Sequence, residues 1–189
     1  MQTTTNKIFE NLEYYHNLAQ KEKIFLYPTD SIYGIGAIPT TYTIQKIYEI
    51  KKREHNKPIS IIAPNIGWIT QNFFTSKNFQ NQVQNYFEKY HTITILLQKK
   101  DSQFLKGIGQ NNKVGVRIIN HPIQKFIESL RQPFISTSAN LSNQPHITNP
   151  QQIEENIIKE IDVVVNDGTI NGKPSTIIDF TDGEKIIRN

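Results

Sequence analysis

The 189-residue chain has no cysteine, so disulfides, thiolate nucleophiles and cysteine-based metal sites are excluded by count. It has no apolar run approaching the roughly 20 residues of a bilayer-spanning helix. The opening "MQTTTNKIFENLEYYH" also lacks the apolar core of a secretory leader, so a soluble, cytoplasmic protein with no membrane partner is expected. The histidines His16, His55, His91, His121 and His146 form no HxxxH pair and stand beside no acidic cluster, so no protein-bound metal site is expected. The GxSxG elbow of serine hydrolases is missing too. Two glycine-bearing stretches fall short of nucleotide motifs. "GIGA" has Pro39 where a dinucleotide fingerprint needs its third glycine. "GTINGKP" has three residues between Gly168 and Gly172 where a P-loop needs four, and Pro174 replaces the Ser or Thr that would hold magnesium.

What is present fits one domain over residues 1–189, with no internal repeat, low-complexity tract or linker to mark a boundary. The net charge of +4 permits a polyanionic partner without reaching the basic composition of a dedicated nucleic-acid binder. Apolar residues at helical spacing predict helices over 6–22, 40–53, 77–90 and 121–130, and another that Asn149 caps and Pro150 starts. "KIFLY", "PISIIAP", "HTITILLQ", "KVGVRII", "PFIST", "DVVVND", "STIIDF" and "EKIIRN" read as strands. Thr181, Asp182 and Gly183 join the last two as a hairpin. Strands and helices alternate early and a hairpin comes late, so the fold class is α/β, a twisted mixed sheet with helices packed on it.

Four stretches carry the chemistry: "PTDSIYG", "KKREHNKP", "GVRIINHP" and "STSANLS". Each sets polar or cationic residues at the end of an apolar element. In open α/β sheets such ends converge on one crevice, so a concave ligand groove at strand ends is expected. Lys and Arg there suit phosphates or a carboxylate, and Ser, Thr and Asn supply short, directional hydrogen bonds. Singly, each stretch has an ordinary structural use. Cations at a helix end are favoured by the helix dipole, and Ser, Thr and Asn cap turns whatever the protein does.

Together, and in this order, these stretches resemble the threonylcarbamoyl-adenylate synthase family, the YrdC-like proteins, over nearly the whole chain. "PTDSIYGIGA" is similar to the family's PTETVYGLGA, Lys51 and Arg53 to its KxR, and "GVRIINHP" to its VRxPxHP. Ser138 and Asn140 match its SxN, and "PSTIIDF" its late STIID segment. The resemblance implies an enzyme that condenses L-threonine, bicarbonate or carbon dioxide, and ATP into threonylcarbamoyl-adenylate and pyrophosphate. Magnesium would arrive on ATP, as part of the substrate. Downstream threonylcarbamoyl-transferase proteins would pass the group to the adenosine beside the anticodon of tRNA, with direct tRNA contact left open. The chain stops soon after its STIID segment, so the short, single-domain form is expected.

Carried over position by position, the resemblance puts Arg53, Lys57, Ser138, Asn140 and Arg188 on the ATP side. It puts Thr29, Ser31, Arg117, Ser136 and Ser175 on the threonine side, with Arg117 taking the carboxylate. Lys51 and Arg53 would face the phosphates, and with Ser138 and Asn140 they make up the expected catalytic set. A carbamate is already a nucleophile, so positioning and electrostatic stabilisation suffice without an obvious general base. Departures from the pattern are "KYHT" at 89–92 in place of WPGP, Glu54 in place of proline after KxR, and Ile62 in place of a threonine-contacting histidine. Asn143 also replaces the glycine of SANxSG. The alternative reading of the same groove is a module that holds tRNA or double-stranded RNA without catalysis.

Overall fold

Period-two and period-3.6 apolar patterns alternate along the chain, and each becomes a strand of one sheet or a helix laid on it. The structure, a computed structural model, describes residues 1–55, 57–142 and 144–188. The elements begin with β1 (Gln2–Thr3), α1 (Thr5–Glu10), α2 (Leu12–Gln20), β2 (Phe25–Tyr27), β3 (Gly34–Gly36) and α3 (Thr41–Ile50). Then come β4 (Ser60–Ile62), α4 (Ile66–Asn72), α5 (Phe79–Tyr90), β5 (Ile93–Gln98), β6 (Lys113–Arg117), α6 (Ile123–Leu130) and β7 (Phe134–Ser138). The chain closes with α7 (Glu155–Ile158), β8 (Val163–Val165), β9 (Thr176–Asp179) and β10 (Lys185–Arg188). The helix predicted over 6–22 is two, because Asn11 leaves the helical region at φ −132°, ψ 46°. Pro150 opens a 3-10 turn instead of the expected helix, capped by Asn149 as its sequence suggests, and α7 follows separately.

The strands lie in the order β1-β8-β2-β3-β7-β4-β6-β5-β9-β10. Parallel pairs β1–β8, β8–β2, β4–β6 and β5–β9 mix with antiparallel pairs, including the late β9–β10 hairpin, so the expected mixed sheet is found. Alternation along the strands sorts the core into two layers. Phe25, Tyr27, Ile62 and Phe134 pack with Ile8, Tyr15 and Ala19 of the first two helices and Phe126 and Leu130 of α6. Leu26, Ile35, Ile61 and Ile135 pack on the opposite side with Ile44 and Ile47 of α3, Ile69 of α4 and Phe79 of α5. Each such Ile, Leu or Phe contributes about 1.5–3 kcal/mol when fully buried. No helix among the described residues is long and apolar enough to cross a membrane.

"GIGA", rejected as a dinucleotide motif, is β3, and its glycines have a packing cause. A Cβ on Gly36 would lie 1.8 Å from the Ile135 carbonyl oxygen and 3.1 Å from a Tyr27 ring carbon. The Tyr27 ring passes beside these glycines, and its hydroxyl donates to the Ile135 carbonyl at 2.9 Å.

Candidate active site

On the sheet face that carries Phe25, Tyr27, Ile62 and Phe134, the neighbouring same-face positions turn polar. Ser60 pairs with Ser136, Arg117 stands opposite Ile62, and Ser138 opposite Gly34. Together with Thr94 and Ile177, paired across β5 and β9, they line a cleft of about 390 Å³. The groove expected at strand ends is found there, with Gly34 and Ser60 opening β3 and β4 and Arg117 and Ser138 closing β6 and β7, and it extends onto the sheet face through Thr94, Ser136 and Ile177.

The KxR segment reaches the cleft through the end of α3. Lys52 adopts φ 46°, its N–H donates to the Glu49 carbonyl, and the Arg53 N–H donates to the Tyr48 carbonyl, each at 3.0 Å. This left-handed helix stop turns Lys52 out to solvent and brings Lys51 and Arg53 to the same wall. Lys51 is 1% exposed, and its ammonium donates to the carbonyls of Ser138 and of Asn140, the latter at 2.6 Å. In return the Ser142 N–H donates to the Lys51 carbonyl at 3.3 Å. Lys51, expected to face phosphate, thus also clamps the SxN loop. Burial first, and then the charge of Arg53, pull its pKa down to about 7.

Arg53 Nε donates to the Lys57 carbonyl and Nη2 to the Pro58 carbonyl, both at 3.0 Å, and its half-buried guanidinium lines the cleft. Lys57, expected on the ATP side, is not among the lining residues; its backbone carbonyl anchors Arg53 instead. Asn140 Nδ2 donates to the carbonyls of Leu141 and Gln144, whereas its buried Oδ1 has no partner among the described residues and belongs to a lining residue. Across the cleft, Thr29 Oγ1 accepts the N–H groups of Ser31 and Ile32 at 3.1 and 3.2 Å, which fixes the loop after β2. Arg117 Nη2 donates to Ser31 Oγ at 3.1 Å and to Asp30 at 2.5 Å. Ser175 Oγ shares a hydrogen bond with Thr94 Oγ1 at 2.7 Å, and the Ser175 carbonyl accepts from Arg188 Nη2, also at 2.7 Å. Burial, and then the charge of Arg117, hold the Arg188 pKa below its ordinary value.

The geometry gathers Lys51, Arg53, Ser138, Asn140, Arg188, Thr29, Ser31, Arg117, Ser136 and Ser175 around one space, and no Asp or Glu is among the described lining residues. Ser60, Tyr33 and His146 line it as well, beyond the sequence expectations. Alternation in "PFISTS" and "HTIT" could have signalled a polar sheet face; for His146 no sequence pattern offered a signal. His146 is held below its ordinary pKa by burial, then by Arg188 and Lys51, in keeping with a crowd of cations. Of the departures, Ile62 is fully buried in the core rather than in the cleft, and Glu54 is exposed. Of the replaced WPGP segment, none of residues 89–92 lines the cleft; Asn143 lies outside the described residues. Among the described residues no group of three His, Asp or Glu side chains is placed to hold a metal.

A mixed α/β sheet with a cleft lined by Arg53, Arg117, Arg188, the buried Lys51 and short hydroxyl side chains suits small polyanions. The chain belongs to the Sua5/YciO/YrdC family: the family model described as telomere recombination matches residues 17–189. A threonylcarbamoyl-AMP synthase from Wigglesworthia glossinidia brevipalpis is 32% identical over 191 residues, covering 98% of this chain and 97% of that protein. A putative threonylcarbamoyl-AMP synthase from Methanocaldococcus jannaschii is 32% identical over 167 residues, 87% of this chain and 77% of that one. Sua5 from P. abyssi shares the fold in two structures. A doubly substituted form gives a TM-score of 0.79 at 21% identity, over 100% of this chain and 59% of that one. The form complexed with L-threonine gives 0.76 at 21%, over 95% of this chain and 53% of that one.

Proposed function

We propose that the chain acts, as one unit over residues 1–189, as a threonylcarbamoyl-AMP synthase. The observation that carries this reading is the cleft's charge: Lys51, Arg53, Arg117 and Arg188 without a carboxylate among the described lining residues. Relatives 32% identical over most of the chain bear that name, and P. abyssi Sua5 is complexed with L-threonine.

The chemistry needs such a site. The amine of L-threonine adds to carbon dioxide and sheds a proton, giving a carbamate. A carbamate oxygen then bonds to the α-phosphorus of ATP while the bond to the pyrophosphate oxygen breaks. Both partners are anions, and two unit charges 4 Å apart repel by about 4 kcal/mol at an effective dielectric of about 20. Arg53 and Arg188 offset that repulsion on the nucleotide side, with Ser138 and Asn140 orienting the phosphates on the loop that Lys51 clamps. Magnesium carried on the nucleotide neutralises further phosphate charge. Thr29, Ser31, Ser136 and Ser175 orient threonine, and Arg117 holds its carboxylate. A separate threonylcarbamoyl-transferring protein acting on tRNA consumes the product. The test is pyrophosphate release by the pure protein with ATP, Mg²⁺, bicarbonate and L-threonine. Release that requires threonine is expected; a folded protein that releases none, while binding RNA with strong salt dependence, is the RNA-binding outcome and overturns the proposal.

A further inference from the structure

Asp30 does not line the cleft, yet it stands directly behind one of its cations. Its carboxylate is 6% exposed; one oxygen accepts from Arg117 Nη2 at 2.5 Å and the other from the Asn120 backbone N–H at 3.0 Å. It therefore ties the loop after β2, the end of β6 and the approach to α6 to one another. The same Nη2 also donates to Ser31 Oγ, which lies 3.0 Å from Thr29 Oγ1. Arg117 is thus held through one nitrogen by two residues of a single loop. Its Nε–H, in a side chain only 8% exposed, has no acceptor among the described residues. Buried donors are almost always paired, and an orphan in a binding cleft points to an acceptor that arrives with the ligand.

We propose that Asp30 is a positioning residue for the amino-acid substrate. It grips Arg117 at Nη2 and leaves the rest of the guanidinium directed to a substrate carboxylate. The identity of that substrate rests on the synthase reading. An ion pair that only stabilised the fold would be replaceable at no cost to carboxylate selectivity.

The experiment compares L-threonine with L-threoninamide, which lacks the carboxylate charge, in the wild type, Asp30→Asn and Asp30→Glu. Asp30→Asn is expected to raise KM for L-threonine at least tenfold while KM for ATP stays within twofold and kcat within threefold. The wild type's preference for the acid over the amide should fall by a similar factor. Asp30→Glu, which keeps the charge but displaces it, gives a smaller change of the same kind and serves if Asp30→Asn does not fold. Unchanged KM and preference in the folded variants overturn the proposal, as does a parallel loss for threonine and ATP that follows a lowered melting temperature. If the wild type releases no pyrophosphate, the synthase reading alone fails. Calorimetric binding of free L-threonine then decides, and binding that is absent or indifferent to Asp30→Asn overturns the proposal.

Discussion

The side chain of Lys51 carries a charge into the protein and ends on two backbone carbonyls, and that arrangement makes it sensitive to pH. Its pKa near 7 lies below the ordinary lysine value of 10.5 because burial, and secondarily Arg53, oppose the ammonium. Between those values the unfolded chain keeps a proton that the folded one has released, so this group makes stability rise with pH across the window from about 7 to about 10.5. The rise is at most about 1.4 kcal/mol per pH unit. Urea denaturation of the wild type and Lys51→Met should show the wild type gaining on the variant from pH 7 to 10; parallel profiles would contradict the assignment. For Arg53→Ala, turnover should fall at least tenfold, whereas losing its bonds to the Lys57 and Pro58 carbonyls should cost only about 1 kcal/mol of stability. Steady-state kinetics beside thermal melting separate the two effects. Most site residues were legible, because KxR, SxN and the PTDSIYG loop are sequence-local patterns. Lys57 was not, since a motif records a side chain and the structure uses its carbonyl. Lys51 lines the cleft, as expected, but its two carbonyl partners could not be read, because they lie on a loop reached only through the fold.

At the scale of elements, periodicity found the long pieces and most short strands but missed β1, β3 and α4. α5 and β5 run for 12 and 6 residues and show their periods; β3 is three residues, two of them glycine, and reads as a loop until its neighbours are known. Those glycines let the strand slide beneath Tyr27 and close against β7. Gly36→Ala, with its Cβ forced against the Ile135 carbonyl, should destabilise by about 2–4 kcal/mol, readable as a lower urea midpoint. A midpoint equal to wild type would show that β3 and β7 are not packed this tightly. Pairings such as β3 with β7 and β5 with β9 join residues some 80 to 100 positions apart, so strand order could not be read from local pattern. The mixed α/β class could be read, because it needs only the sequence of element types.

Across the whole molecule, the cleft draws residues from Thr29 near one end of the chain to Arg188 near the other, so the site exists only when the sheet is complete. The groove gathers where the loops after β2 and β7 and before β4 meet the sheet, a convergence that no single segment discloses. The family assignment and the four lining cations lead to one central claim, that threonine, carbon dioxide and ATP are joined in this cleft. The most direct test supplies the protein with ATP, Mg²⁺, L-threonine and isotope-labelled bicarbonate and follows the label by mass spectrometry. The account predicts labelled carbon in a nucleotide adduct with the mass of threonylcarbamoyl-AMP, formed only when all three substrates are present and at least tenfold more slowly by Arg53→Ala. A folded wild-type protein that yields no labelled adduct would contradict it.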